Sequence, residues 1–355
     1  MAREIRFGMA GPVPGMSTAD LIGEVRRFER GGFDTVWFPD HVAFMAKSLT
    51  PEVWSVITAA AQKTGTIGLG AVGDAHRMHP AVFAHRLATV DHIAGEGGRG
   101  RIFVCVGYGE KMNLDPYGIA WDRPLKRVEE SVRIMRALWE GGSVNFKGDI
   151  FHLKDAELRI TPVSKKGIPI YVAATGPRAL RIAGQWGDGW VTNAMPVGVY
   201  KKKLLTVREG QKKRSRKLGR LEKAIYIFLS IGRDEDEAYG ALEPLKHALI
   251  WPELLEEGGY DVKIAKRYKG LKYTKIMPND SAMLEKFKEM GQKYYSRDVL
   301  LDFVIAGSKK QVIKRIEQYI RAGVDHFILR DFSPDKKRSY RLLTREIIPY
   351  FRGAG

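Results

Sequence analysis

Three observations in this 355-residue chain predict a (β/α)8 TIM barrel. Eight short runs rich in β-branched and aromatic residues recur along it, most followed by a helical segment with one apolar face. Gly, Pro and capping residues fall where runs end and helices begin. Glycine and polar residues gather just after the runs, on the face where barrels carry their sites. A doubly wound open sheet competes, but rarely needs eight strands in such regular alternation. The expected organisation is one barrel domain, 1–355, with a mainly helical insertion, 232–302, between strands seven and eight that covers the mouth.

The elements follow in order. Ile5 to Met9 is a first strand, and Ser17 opens a helix with Asp20 as capping-box acid. Leu21, Val25 and Phe28 share one face of that helix, and Gly31-Gly32 stops it. In the second strand, Val36, Trp37 and Phe38 suit a buried position, and Pro39 ends the pairing because it has no N–H to donate. Thr50-Pro51-Glu52 reads as cap, first helical proline and first-turn acid of a helix to about Lys63. Strand three, Ile67 to Val72, leads into a polar loop, Gly73 to His79, and Pro80 starts a helix to about Gly95. Strand four is Ile102 to Val106. A loop follows, and Asp122 is expected to cap a helix carrying Val128, Val132, Met135 and Leu138 on one face.

Asn145 to Leu158 reads as a hairpin-like excursion. Strand five, Ile168 to Ala173, is followed by a helix opened by Pro177, strand six is Gly189 to Thr192, and strand seven is Tyr226 to Ile231. From 232 to about 302 helical segments and a Lys/Tyr-rich stretch replace the alternation. Ser308 and Gln311 then form a capping box, a helix runs from Gln311 to Arg321, strand eight is His326 to Arg330, and a last helix covers about Asp335 to Tyr350.

A hydrophobic content of 44% with 10% aromatics supports a sizeable core. The lone Cys105 excludes an internal disulfide and suits a reducing compartment; inside Ile102 to Val106 it reads as a small buried hydrophobe. No stretch approaches the ~20 apolar residues of a membrane span, and the N-terminus lacks the apolar region of a signal peptide, so a cytoplasmic protein is expected. Residues 201–223 hold eleven Lys or Arg against two Glu, half of the net +18. Without aromatic interleaving or a DNA-binding motif, this stretch reads as a solvated surface rather than a nucleic-acid site.

The residues after the strands carry the candidate chemistry. Asp40 and His41 follow strand two, and Val72, Gly73, Asp74 and His76 follow strand three. Gly107, Gly109, Glu110 and Asn113 follow strand four, and Ala174, Thr175 and Gly176 follow strand five. The glycines allow close backbone approach to a flat ligand. Thr175-Gly176-Pro177 stands at a helix N-terminus, where free amides can cradle a phosphate, although a plain strand-to-helix turn has the same sequence. His41 suits proton transfer near neutral pH or, equally, a structural ring holding a loop carbonyl. Glu110 is a second acid–base candidate or a solvated helix-start carboxylate. Asp40 fits positioning of His41, ligand contact or a turn cap. His76, Met78 and His79 lack a third ligand at a sensible spacing, so no metal is expected.

Taken together, four segments resemble the bacterial-luciferase-like superfamily of flavin and deazaflavin oxidoreductases. They are Gly32 to His41; Leu69 to Gly73 with Arg77 to Ala81; Val106 to Glu110 with Asn113; and Pro169 to Pro177 with its continuation to Gly189. Gly307 to Val324 matches the closing unit, so nearly the whole chain is covered. The Asp40-His41 pair and the Gly107-x-Gly109-Glu110…Asn113 element are most similar to the branch using coenzyme F420.

That resemblance implies hydride transfer between F420 and a carbonyl/alcohol or methylene-type small-molecule substrate, with His41 and Glu110 as the proton-handling residues. It implies that Asp40, Val72, Gly73, Gly107, Gly109, Glu110, Asn113, Ala174, Thr175 and Gly176 hold the cofactor, with the phosphate at Thr175-Gly176. It further implies a homodimer and a non-proline cis peptide at Val72-Gly73 after strand three. F420 ends in a phosphodiester and several glutamates, which gives the positive charge a functional reading. Phe44, Met45 and Trp54 are the candidate substrate-pocket residues; the run after His41 departs from the sugar-phosphate and simple-alcohol enzymes. The alternatives are an FMN-dependent monooxygenase of the same fold, or a non-catalytic basic cofactor-binding or interaction protein.

Overall fold

The structure, a computed structural model, describes residues 4–11, 16–44, 50–95, 100–164, 167–260, 268, 271–277 and 280–353. Its fold is a (β/α)8 barrel. In chain order come β1 (Arg6–Ala10), α1 (Thr18–Arg30), β2 (Thr35–Pro39), α2 (Val53–Ala61), β3 (Gly68–Asp74), α3 (Pro80–Ala94), β4 (Ile102–Gly107) and α4 (Pro124–Trp139). The hairpin β5 (Val144–Lys147) and β6 (His152–Ala156) precedes β7 (Ile170–Ala173), α5 (Pro177–Trp186), β8 (Gly189–Thr192), α6 (Val197–Gln211) and β9 (Glu222–Ile231). Then follow the helices α7 (Glu235–Leu242), α8 (Lys246–Leu249), α9 (Pro252–Gly258), α10 (Ser281–Tyr294) and α11 (Arg297–Phe303). The short strand β10 (Ile305–Gly307), α12 (Lys309–Ala322), β11 (His326–Asp331), α13 (Lys336–Leu342) and α14 (Ile348–Arg352) complete the chain.

The chain divides into two compact units. The first, residues 11–191 and 206–222, contains the parallel array β2-β3-β4-β7-β8. Registers such as Trp37↔Gly70, Val72↔Cys105 and Cys105↔Tyr171 are continuous along it. Its core is aromatic: the ring of Trp37 lies 4.3 Å from that of Phe103 and meets Tyr171 edge-on at 5.0 Å. At the base of these strands the buried Arg101 has no carboxylate partner among the described residues. It donates instead to the carbonyls of Ala61, Thr64, Ile67 and Ala94, which satisfy it without a second buried charge. Glu130 of α4 accepts from the backbone N–H groups of Asp149, Ile150 and Phe151, and so ties the β5–β6 turn to the helix.

The second unit, residues 1–10, 192–205 and 223–355, pairs β1 with β11, β11 with β9, and β9 with β10, all parallel. Phe7 stacks on Phe327 at 5.6 Å, and Tyr319 of α12 donates from its hydroxyl to the carbonyl of Met195 at 2.7 Å. The Ser308/Gln311 capping box forms, and Gly323 ends α12 at φ +116°, a conformation that favours glycine. The expected break in alternation is present as the helices α7 to α11.

Three expectations are corrected, and one short strand is added. The cap of α2 is Glu52 itself, whose carboxylate accepts from the N–H groups of Trp54 and Ser55, so the helix begins one residue after it. Asp122 does not cap α4: Arg123 occupies that position at φ +40°, and Asp122 pairs with Arg127 at 2.8 Å. The three-residue β10 was not expected, being too short for a period-two pattern. The cis peptide expected at Val72–Gly73 is not found, as no described peptide bond is cis. The ladder there runs on without a bulge, Val72↔Cys105, Gly73↔Val106 and Asp74↔Gly107.

Candidate active site

The polar residues following β2, β3 and β4 converge within the first unit. β2 ends where Pro39 removes a donor, and the N–H of Asp40 still bonds the carbonyl of Val72 on β3. His41 follows, so the register of β2 against β3 sets where the imidazole starts. After β4, Gly109 adopts φ +85° and turns the chain; a Cβ there would press on Leu114 at 3.1 Å and His76 at 3.3 Å. The turn brings Glu110 and then Asn113 back toward His41.

The contact between these residues is specific. The Oδ1 of Asn113 accepts from the backbone N–H of Val42 at 2.9 Å, which directs its Nδ2 to His41 Nδ1 at 2.8 Å. An amide nitrogen can only donate, so Nδ1 accepts and the proton of the neutral ring belongs on Nε2. Glu110 Oε2 lies 3.6 Å from the same Nδ1, is buried, and has no hydrogen-bond partner among the described residues. Burial first, and then the positive Arg77, push the His41 pKa down to about 4, against the opposing effects of Asn113 and Asp74. Burial first, and then the negative Asp74, push Glu110 up to about 7, with Arg77 opposing. At neutral pH the imidazole is therefore uncharged, and the carboxyl is poised between its two states.

Beside this pair lies a denser ionic knot. Arg77 donates from Nε to Asp74 Oδ2 at 2.5 Å. Its Nη2 reaches the backbone carbonyl of Asp40 at 2.7 Å and Asp40 Oδ2 at 2.9 Å, and Nη1 reaches Asp40 Oδ1 at 3.2 Å. Asp74 Oδ1 also accepts from the N–H groups of His76 and Arg77. Burial raises the pKa of Asp40 despite the guanidinium beside it. Gly73 gives Asp40 its room, since a Cβ at that position would stand 2.8 Å from Asp40 Oδ2.

The remaining expected residues are placed as follows. Gly107 closes β4 opposite Asp74. Ala174 is buried and its backbone is committed, its N–H to Val191 and its carbonyl to the Trp190 indole. Gly176 precedes α5 as an N-cap without a side-chain hydrogen bond, and a Cβ there would meet nothing within 4 Å. The Phe44 ring stands 4.9 Å from that of His41. Trp54, expected in the substrate pocket, is 3% exposed and packs edge-on against Phe83 at 5.6 Å. Met45 lies outside the described residues. Among the described residues no cluster of three metal-ligating side chains occurs, and no helix is long and apolar enough to cross a membrane. Arg77 was missed as a site residue, although it opens the Arg77 to Ala81 segment of the family likeness and follows Asp74 by three residues just after a strand.

A barrel with titratable side chains gathered beyond its strand ends has the layout of a barrel enzyme. The chain belongs to the luciferase-like monooxygenase family, whose model matches residues 4–326. It is 31% identical over 351 residues to 5,10-methylenetetrahydromethanopterin reductase of Archaeoglobus fulgidus, covering 97% of this chain and 99% of that one. It is 25% identical to the F420-dependent glucose-6-phosphate dehydrogenase of Amycolatopsis mediterranei, over 99% of this chain and 100% of the relative. Among solved structures it resembles an F420-dependent secondary alcohol dehydrogenase in complex with an F420–acetone adduct, with a TM-score of 0.80, 26% identity, and coverage of 98% and 99%. A long-chain alkane monooxygenase shares the fold with a TM-score of 0.74 at 16% identity.

Proposed function

We propose that this protein is a coenzyme F420-dependent oxidoreductase acting on a carbonyl/alcohol or methylene-type organic substrate, with His41 and Glu110 managing the proton. The observation that carries the reading is the buried Oε2 of Glu110, without a hydrogen-bond partner among the described residues and 3.6 Å from a neutral imidazole. Two groups with pKa values driven apart by their surroundings are what acid–base chemistry needs. The relatives whose names specify F420 support the cofactor assignment.

The residues present fit such a group. The start of α5 at Gly176 has no side-chain cap and nothing within 4 Å of where a Cβ would stand, so it offers open amides to a phosphate. F420, when bound, donates or accepts a hydride rather than single electrons. The chain orients the substrate and handles one proton. Glu110, at a pKa of about 7, can hold a proton at neutral pH and release it, and His41 offers an Nε2–H while Asn113 fixes its ring. Asp40, held by Arg77, presents a fixed carboxylate beside Gly73. Phe44, its ring 4.9 Å from that of His41, gives the imidazole an apolar neighbour and favours a substrate with apolar surface. We also propose a homodimer, supported by the family likeness; light scattering should give twice the 40.0 kDa chain mass, and a monomer at micromolar concentration would refute it.

Cofactor preference tests the reading. Protein incubated with F420 or with FMN and then desalted should retain F420 and not FMN. Retention of FMN with no affinity for F420 would favour the monooxygenase alternative.

A further inference from the structure

We propose that Arg77 is the positioning residue of this site: its guanidinium locks the β2 and β3 ends together and so sets both the direction of His41 and the charge balance at Glu110. The inference rests on the acid–base roles given above to those two residues. Its basis is geometric. Arg77 grips Asp40 through the backbone carbonyl as well as both carboxylate oxygens, and grips Asp74 through Nε. A backbone carbonyl held at 2.7 Å fixes the peptide that leads directly into His41. A lysine could pair with one carboxylate, but it has no planar fork to hold the carbonyl and two carboxylates at once. Arg77 is itself 17% exposed along its side chain, so these bonds are only weakly competed by water.

The charges around the pair come from three strand ends. Asp40 follows β2, with Glu52 of the α2 cap near it. Asp74 ends β3, and His76 and Arg77 follow it. Glu110 and Asn113 follow β4, and Asp122 with Arg127 faces His76. Asp74 stands against the turn that carries Glu110, its Cβ 3.4 Å from where a Cβ of Gly109 would lie, and Arg77 is bonded to it, so the two act on Glu110 with opposite sign: the cation favours its ionised form and the anion opposes it. Neutralising one or the other should therefore move the same carboxyl in opposite directions, a result that general loosening of the site would not give.

The experiment follows the Glu110 carboxyl by carbon NMR in protein labelled at glutamate, with Glu110→Gln identifying the signal and no cofactor added. The wild-type midpoint is expected near 7. Arg77→Met should raise it by about one unit and Asp74→Asn should lower it by a similar amount. Arg77→Lys, which keeps the charge and loses the fork, should leave the midpoint near that of wild type yet reduce kcat about tenfold to a hundredfold, with a much smaller change in KM. Unchanged midpoints in Arg77→Met and Asp74→Asn, or shifts of the same sign, would overturn the charge role. A wild-type kcat in Arg77→Lys would overturn the positioning role. Should Arg77→Met lose its cooperative unfolding, Asp74→Asn and Arg77→Lys decide the two parts alone. Absence of any F420-linked turnover in wild-type protein would sink the proposed function while leaving the carboxyl titration to judge Arg77.

Discussion

At the scale of single residues, His41 and Glu110 make opposite claims on the pH dependence of stability. The His41 pKa falls from 6.5 to about 4 on folding, so between these values the unfolded chain binds the extra proton and stability rises with pH. The Glu110 pKa rises from 4.5 to about 7, so between these values the native state binds the extra proton and stability falls with pH. Each effect is on the order of 3 kcal/mol, and in the overlap from about pH 4.5 to 6.5 they nearly cancel. Denaturant unfolding of Glu110→Gln should therefore show stability increasing from pH 4 to 6.5, and that of His41→Asn should show it decreasing from pH 4.5 to 7. Profiles parallel to wild type in both variants would refute the assigned shifts. In catalysis, Glu110→Gln should retain F420 and lose roughly 10²–10⁴-fold in turnover, the usual share of a general acid or base; near-normal turnover would remove Glu110 from the mechanism.

At the scale of elements, the strand ends are where sequence and structure agree best. Thr35 to Pro39 was readable because proline cannot continue a ladder, and that placed Asp40 and His41 at a strand exit. The contact of Asn113 with His41 spans 72 residues and was not anticipated: the family likeness offered Asn113 only as a cofactor residue. Arg77 was not legible as a site residue: an arginine in a polar loop looks solvated until the folded chain brings Asp40, 37 positions earlier, against it. Trp54 illustrates the converse, since a large aromatic early in a helix near the site is equally suited to helix packing, and Phe83 claims it. Caps failed where two acceptors competed, as with Thr50 and Glu52. The hairpin offers a test of its own. Glu130→Ala should leave the N–H groups of Asp149, Ile150 and Phe151, of which only the last is buried, without their carboxylate acceptor and cost about 1–3 kcal/mol. Hydrogen exchange should quicken at residues 149–151 first; uniform quickening across α4 as well would show that the tie is not local.

At the scale of the whole molecule, the (β/α)8 pattern was legible because each strand buried on both faces is a short apolar run and each outer helix carries one apolar stripe. The excess of positive charge, +18, is a property of the chain rather than of the site. Some of the basic stretch 201–223 is structural: Lys203 is 7% exposed and pairs with Glu257, and Arg214 binds the carbonyls of Gly187, Leu218 and Gly219. The rest forms a field that suits a polyanionic cofactor tail. F420 affinity should therefore weaken as ionic strength rises from about 0.01 to 0.15 M, as the screening length falls from about 30 to 8 Å. Salt-independent affinity would show that the surface charge plays no part.

The most direct measurement follows the hydride. Reduced F420 carrying deuterium at its hydride-donating carbon is mixed with the protein and a panel of carbonyl and methylene-type acceptors, with oxygen consumption recorded in parallel. Deuterium should appear in the product without oxygen uptake, at a rate that collapses in Glu110→Gln. Oxygen-dependent turnover on reduced FMN, with no deuterium transferred from F420, would contradict the account.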